Sequence, residues 1–466
     1  MTLYYLAIDI GASSGRHMLA HLEDGKMILQ EIHRFPNGMT DKGGRKGWDV
    51  DRLFAEIKIG MKKCAELGKI PVSVGIDTWA VDFVLLGENG ERITDAVAYR
   101  DGRTEGMDET VYSYIPETEL YARTGIQKQK FNTIYQLMAM REQEPDLLAQ
   151  AKTYLMIPDY FHYLLTGTKA VEYTNASSTQ LVSPGTKQWD KDLIGLLGYP
   201  TDIFPEIAVP GTCLGELKPE IQEEIGYNCK VVIPGTHDTA SAVLAVPAEA
   251  DEDTLYISSG TWSLMGTELM SANCSPEAQQ QNFTNEGGYN YRFRFLKNIM
   301  GLWMIQSVKK EIGAELSFGE ICDMASLEQI TSKVDCNDDR FLAPPNMTEE
   351  VQAACRESGQ QVPEGIAQVA SVIYNSLAEC YGEACREVER LTGKTYEKIR
   401  IVGGGANAAY LNELTAKASG KTVYAGPTEG TAIGNLAAQM ISLGDLENLE
   451  DARACIGRSF PIHVYR

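Results

Sequence analysis

Thr236-His237-Asp238-Thr239 bring a carboxylate, an imidazole and two hydroxyls together directly after the apolar run Val231-Val232-Ile233 and a Pro234-Gly235 break. With the small residues Ala240-Ser241-Ala242-Val243 that follow, this reads as a buried strand, a turn and the start of a helix, with Thr236 or Asp238 as N-cap. Helix N–H groups and the helix dipole favour an anion at that place. The reading predicts that Asp238 stays ionised near neutral pH, able to take a proton and poor at giving one. Phosphoryl transfer to a hydroxyl asks little more of a protein base than to orient that hydroxyl and accept its proton. A helix cap without chemistry fits the same residues.

Three glycine-bearing turns could hold a ligand. Gly11-Ala12-Ser13-Ser14-Gly15-Arg16 joins an apolar strand, Tyr4–Ile10, to a second one, Met18–Leu22. Such a tip offers backbone N–H groups, hydroxyls and one cation to a phosphate chain, or is an ordinary hairpin turn. Ser258-Ser259-Gly260-Thr261-Trp262-Ser263 sits the same way between strands Leu255–Ile257 and Leu264–Gly266. Gly403-Gly404-Gly405 follows strand Ile399–Val402 and opens a helix over 408–419, with no side chains to obstruct a flat ligand. Asp77-Thr78-Trp79-Ala80-Val81-Asp82 follows the buried strand Val72–Ile76. The end of a parallel strand is where open α/β sheets bind ligands. An aromatic face with carboxylates there suits a sugar, and a core Trp with surface aspartates suits the same residues.

The elements around these stretches alternate strand and helix. A helix is predicted over Arg52–Leu67 and a mostly helical region over 104–200, with Leu155–Leu165 as core and Tyr173–Leu181 as a polar loop. Leu296–Gln306 reads as a buried helix with Asn298 and Gln306 near one face. Ile366–Leu391 is a long amphipathic helix, and Gly426–Gln439 is a small-residue helix that can pack closely. At 466 residues the chain is too long for one core. Pro and acidic residues near Pro247–Asp253 mark a boundary, giving domains 1–246 and 247–466. Each half opens with strand, small polar turn and strand, a faint internal repeat.

The formal net charge of −22 disfavours nucleic acid or an anionic membrane as partner, though not an anionic small substrate. Neither a signal peptide nor an apolar run of membrane length is visible. Ten cysteines without a Cys-x-x-Cys pair read as reduced thiols in the cytoplasm. The six histidines form no metal motif, and there is no Walker A sequence.

Ile8–Arg16, Ser258–Ser263 and Val402–Gly405 together resemble the FGGY carbohydrate kinases of the actin-like ATPase fold. The resemblance runs over nearly the whole chain. It is densest in Gly75–Leu86, Tyr173–Ala176, His237–Val243, Thr284-Asn285-Glu286-Gly287-Gly288 and Leu296–Trp303. It implies an α/β protein with two ribonuclease-H-like domains and an active-site cleft between them. It also implies transfer of the ATP γ-phosphoryl group, with Mg²⁺, to the 1-hydroxyl of L-rhamnulose. L-Fuculose or L-xylulose is the nearest alternative, and an actin-like regulatory ATPase a more distant one. By match of position, the resemblance makes Asp238 the proton acceptor. It puts Ala80, His237, Asp238, Thr239 and Asn298 on the sugar, and Ala12, Ser13, Ser14, Gly15, Arg16, Thr261, Gln306 and Gly404 on ATP. Asp9 falls near the metal. Position 80 is Ala where the pattern has Gly. A backbone contact survives that exchange, while the methyl group takes up pocket space.

Overall fold

The computed structural model describes residues 2–249, 252–342 and 344–466. Residues 250 and 251 of the boundary predicted at Pro247–Asp253 lie outside the described residues. The chain divides into two compact units. One comprises Met1–Leu244, Glu268–Phe295 and Thr431–Cys455, and the other Ala245–Thr267, Leu296–Gly430 and Ile456–Arg466.

The first unit is built on a sheet ordered Cys213–Glu216, Lys230–Val232, Pro71–Thr78, Tyr4–Ile10, Ser14–Glu23, Lys26–Pro36. Tyr4–Ile10 turns back on itself through Gly11-Ala12-Ser13, where the Gly11 N–H donates to the Ser14 carbonyl at 2.9 Å. Asp24 and Gly25, at φ 50° and 72°, make the next reversal, as a tight two-residue hairpin requires. Pro71–Thr78 then adds in parallel to Tyr4–Ile10, and Lys230–Val232 in parallel to Pro71–Thr78. Helix Val50–Glu66, capped by the Asp49 carboxylate on the Arg52 N–H, buries Leu53, Ile57 and Met61.

Helix Gly430–Leu443 packs closely, as its small residues lead one to expect, and does so mostly within the first unit. A Cβ on Gly434 would overlap the Ser241 carbonyl. Two amides on its buried side reach the sheet. Asn435 Nδ2 donates to Asp77 Oδ2 at 2.6 Å, and Gln439 Nε2 to the Leu6 carbonyl at 2.9 Å.

In the second unit Leu255–Ser259 pairs antiparallel with Trp262–Leu269 and parallel with Lys398–Val402, which pairs parallel with Thr422–Ala425. A hairpin with two parallel strands on its other side thus recurs, so the faint repeat of the sequence is a repeat of topology. Helix Gly365–Thr392 spans the predicted amphipathic stretch and packs on helix Ala409–Ser419. A Cβ on Gly382 would come within 2.7 Å of the Ala418 carbonyl.

Three local expectations are corrected. Leu296–Gln306 is not one helix: Phe293–Met300 is a strand, and a helix begins only at Trp303. Gly301 forces the break, because a Cβ there would stand 2.6 Å from the Trp262 carbonyl carbon. Tyr173–Leu181 is not simply a polar loop. Tyr173–Ser177 is a short buried helix, and the hydroxyls of Ser177, Ser178 and Thr179 donate to the Thr174, Asn175 and Ala176 carbonyls. Neither Thr236 nor Asp238 is the N-cap. The His237 carbonyl accepts from the Ala240 N–H at 2.7 Å, and Asp238 is the first helical residue. All ten cysteines are free. Among the described residues no helix is long and apolar enough to cross a membrane.

Candidate active site

Three carboxylates converge at the strand ends of the first unit. Asp9 and Asp77 stand in register on adjacent parallel strands. Thr78 bridges to His237, which puts Asp238 beside them. Asp77 is fully buried. Burial pushes its carboxyl well above the ordinary range, and Asp9 and Asp238 add to this, while Asn435 and Arg16 oppose it. Arg16 pairs across the hairpin with Asp9, its Nε and Nη2 lying 3.0 and 2.9 Å from Oδ2. The cation expected to face a phosphate therefore also holds the first carboxylate.

Asp238 Oδ1 accepts from the Thr239 N–H at 2.6 Å and lies 3.6 Å from His237 Nε2. Its side chain remains 34% exposed. Burial raises its carboxyl above the ordinary range. His237 and Thr239 pull it back, and Asp9 pushes it further up. The shift is upward, opposite to what the helix dipole alone would give, and it makes the ionised Asp238 a stronger base.

The loop that carries this group is held from behind. Glu172, with no exposure, accepts from the Thr236 N–H and hydroxyl at 2.9 and 2.8 Å and from the Thr174 hydroxyl at 2.5 Å. The Thr174 hydroxyl in turn accepts from the His237 N–H at 3.3 Å. His237 Nδ1 lies 3.1 Å from Arg294 Nη2 and 3.2 Å from Glu286 Oε2. Ala80 is half-buried and its carbonyl accepts from the Asp82 N–H. Val81 next to it adopts φ 65°, costly for a β-branched residue, and Thr133 and Gln136 donate to its carbonyl.

Asp82 and Trp79, which the sequence offers as sugar contacts, are used internally. Asp82 Oδ2 accepts from Trp48 Nε1, Trp79 Nε1 and the Tyr99 N–H at 2.7, 2.9 and 3.1 Å. Burial raises its carboxyl to about 6 against these donors. The reading of Trp79 as a core residue is the one the geometry bears out, with Trp48 4.1 Å away between ring centroids.

The second unit carries Thr261, Asn298, Gln306 and Gly404. Thr261 is exposed at the hairpin tip. The Trp303 N–H donates to its carbonyl at 3.1 Å, which ties the tip to the helix that carries Gln306. Gly403 takes φ 87°, and a Cβ on it would stand 2.8 Å from the Ser259 carbonyl. Gly405 lies flush on the Ser259 side chain. A Cβ on Gly404 would meet nothing within 4 Å. The outer glycines thus serve packing, and the middle one faces open space. Asn298 lies on strand Phe293–Met300, apart from Gln306 on its helix, so the shared helical face is overturned.

Among the described residues no three His, Cys, Asp or Glu side chains form a cage for a metal ion. Mg²⁺ binds through one or two carboxylates plus substrate phosphates and keeps several waters. Asp9, and Asp77 with its buried, unpartnered Oδ1, fit that sparse role.

Family models carry the comparison further. The N-terminal domain model of the FGGY family of carbohydrate kinases matches residues 4–245, and the C-terminal domain model matches residues 255–443. The chain belongs to the FGGY family of carbohydrate kinases. A rhamnulokinase of Halalkalibacterium halodurans is 53% identical over 462 residues, covering 99% of this chain and 98% of that one. A rhamnulokinase of Bacillus subtilis is 44% identical over 465 residues, covering 99% and 95%. Among solved structures, a gluconate kinase from Lactobacillus acidophilus aligns with a TM-score of 0.80 at 15% identity, covering 100% of this chain and 94% of that one. Plasmodium falciparum glycerol kinase with ADP aligns with a TM-score of 0.78 at 14% identity, covering 100% and 94%. These structural likenesses fix the two-domain α/β fold of FGGY kinases for this chain.

Several residues that shape this FGGY kinase's first unit escaped the sequence reading. Glu172, Arg294, Asn435 and Gln439 are far along the chain from the groups they hold and follow no periodic pattern. Glu286 lies inside the stretch Thr284–Gly288 that carries the family resemblance, where the sequence assigns it no role. A charged residue inside an apolar strand, as Arg294 is, was the one available signal.

Proposed function

We propose that this chain phosphorylates the 1-hydroxyl of L-rhamnulose with ATP, giving L-rhamnulose 1-phosphate and ADP in L-rhamnose catabolism. The observation that carries this reading is the 53% identity, over 99% of the chain, to a protein named a rhamnulokinase. Asp238 takes the proton of the sugar hydroxyl as it attacks. Its raised carboxyl suits it to this, because a base works best with a pKa drawn toward the working pH. His237, Thr239, Ala80 and Asn298 orient the sugar. Ala12 to Arg16, Thr261, Gln306 and Gly404 hold the nucleotide. Mg²⁺, when bound near Asp9, neutralises charge on the phosphates. Residues 1–246 act as the sugar and base domain and 247–466 as the nucleotide domain. The reaction runs on small molecules in the cytoplasm, a compartment that suits ten free thiols.

Product analysis tests the assignment. ³¹P-coupled NMR of the product from L-rhamnulose and Mg-ATP is expected to place the phosphoester on the C1 methylene. A phosphate on another carbon, or ADP formed without a sugar phosphate, overturns it.

A further inference from the structure

Glu286, in the stretch Thr284–Gly288, and Arg294, on the strand after it, have no part in the chemistry so far, yet they reach the imidazole that the proposed function puts on the sugar. Arg294 has no exposure. Its Nε donates to the Gly287 carbonyl at 2.8 Å. Its Nη2 lies 3.0 Å from Glu286 Oε2 and 3.1 Å from His237 Nδ1. The Gly287 N–H donates to Ser177 Oγ at 2.7 Å, from the same short helix whose Thr174 holds the His237 backbone. The contacts close a loop, from the His237 backbone through Thr174, Ser177, Gly287 and Arg294 back to the His237 ring.

We propose that Arg294 and Glu286 are positioning residues that fix His237 with Nε2–H as a donor toward the sugar. An arginine is always protonated and can only donate, so its hydrogen bond makes Nδ1 an acceptor and puts the ring proton of neutral His237 on Nε2. Glu286 balances the buried guanidinium, and its Oε2, 3.2 Å from Nδ1, balances the ring charge when the imidazole is cationic. In both states Nδ1 is occupied and Nε2–H points out beside Asp238, 3.6 Å from Oδ1. The tautomer with Nε2 as acceptor is disfavoured. Nε2–H then binds a sugar oxygen next to the reacting hydroxyl, and Asp238 alone takes the proton. A buried ion pair is weak evidence for stability, since apolar residues can replace one without loss. Arg294 also leaves Nη1 buried without a partner, an arrangement that stability alone does not call for.

This inference rests on His237 contacting the sugar, so three variants are compared. Arg294→Lys keeps a charge beside Glu286 but loses the fork that reaches Gly287 and Nδ1 together. Glu286→Gln keeps the shape and loses the charge. His237→Gln tests the contact itself. By analogy with partners that orient metal-binding histidines, each of the first two is expected to lower kcat/KM for sugar by ~10–100-fold. KM for ATP is expected to stay unchanged, while the thermal midpoint falls because each change disturbs a buried ion pair. Histidine-selective ¹⁵N spectra, assigned with His237→Gln, should show a protonated Nε2 in the parent and loss of that signature in Arg294→Lys. If His237→Gln is fully active, the sugar-contact reading falls and takes this inference with it. If His237→Gln is impaired while Arg294→Lys and Glu286→Gln keep parent sugar kinetics, the inference alone is wrong. Should Arg294→Lys fail to fold, Glu286→Gln decides by its sugar kinetics.

Discussion

The two hairpins that open the two halves share a backbone plan and differ in chemistry. In the first, Asp9 pairs with Arg16 and Ile8 with His17. In the second, Ser258 pairs with Leu264 and Ile257 with Met265 at the corresponding places. The first tip closes between Gly11 and Ser14, the second between Gly260 and Trp262, one residue tighter. The first hairpin therefore carries a charged pair beside the carboxylate proposed as the base. The second is neutral and is shaped by glycines packed against it. One frame can serve a reacting centre or a docking turn, depending on a few residues at the tip.

Removing the proposed base beside the first hairpin should have the largest effect. Asp238→Asn is expected to lower kcat by ~10²–10⁴-fold with KM for ATP nearly intact, read by coupled ADP release. Giving the first hairpin the pair of the second comes next. Arg16→Leu leaves Asp9 unpaired and removes a cation from the proposed nucleotide set. KM for ATP should rise by ~10–100-fold, matching the ~1.5–3 kcal/mol of a charged hydrogen bond. Steady-state kinetics at saturating sugar would check it, and an unchanged KM would show the hairpins to be interchangeable.

The second hairpin is probed through its glycines. Gly404→Val has room for its side chain and should weaken ATP binding without loss of stability. Gly301→Ala drives a methyl group into the Trp262 backbone and should cost about 1–3 kcal/mol of stability, seen in urea unfolding. The smallest effect concerns pH. His17 is fully buried, and burial lowers it from 6.5 to about 3, with the Ile57 carbonyl opposing this and His33 and Lys63 adding to it. The unfolded chain binds this proton below 6.5 and the folded chain does not until about 3, so stability is lost as pH falls across that window. His17→Met, copying Met265, should flatten the fall of the thermal midpoint below pH 6.5.

Much of this was legible because punctuation and apolar runs are local. Gly11, Gly260 and the 403–405 glycines marked their turns, and the strands before them were plain. The helix misread at Leu296–Gln306 hid its cause in Gly301, whose need for closeness comes from a hairpin distant in the chain. The buried segment after Glu172 looked polar because its hydroxyls bond to nearby carbonyls, which composition cannot reveal. The setting of Asp238 was read from its helix alone. Burial, with Asp9 nearby, raises its carboxyl, and no local pattern joins Asp9 to Asp238. The Arg294–His237 contact spans 57 residues of chain and left no periodic trace.

The most direct test of the account is the rate of ADP release from Mg-ATP with L-rhamnulose, L-fuculose, L-xylulose, D-xylulose and glycerol in turn. The account predicts strong preference for L-rhamnulose, with Ala80 tolerated in the pocket. Preference for another acceptor would contradict the substrate and point to position 80, and ADP release independent of every sugar would contradict Asp238 as the base of a sugar kinase.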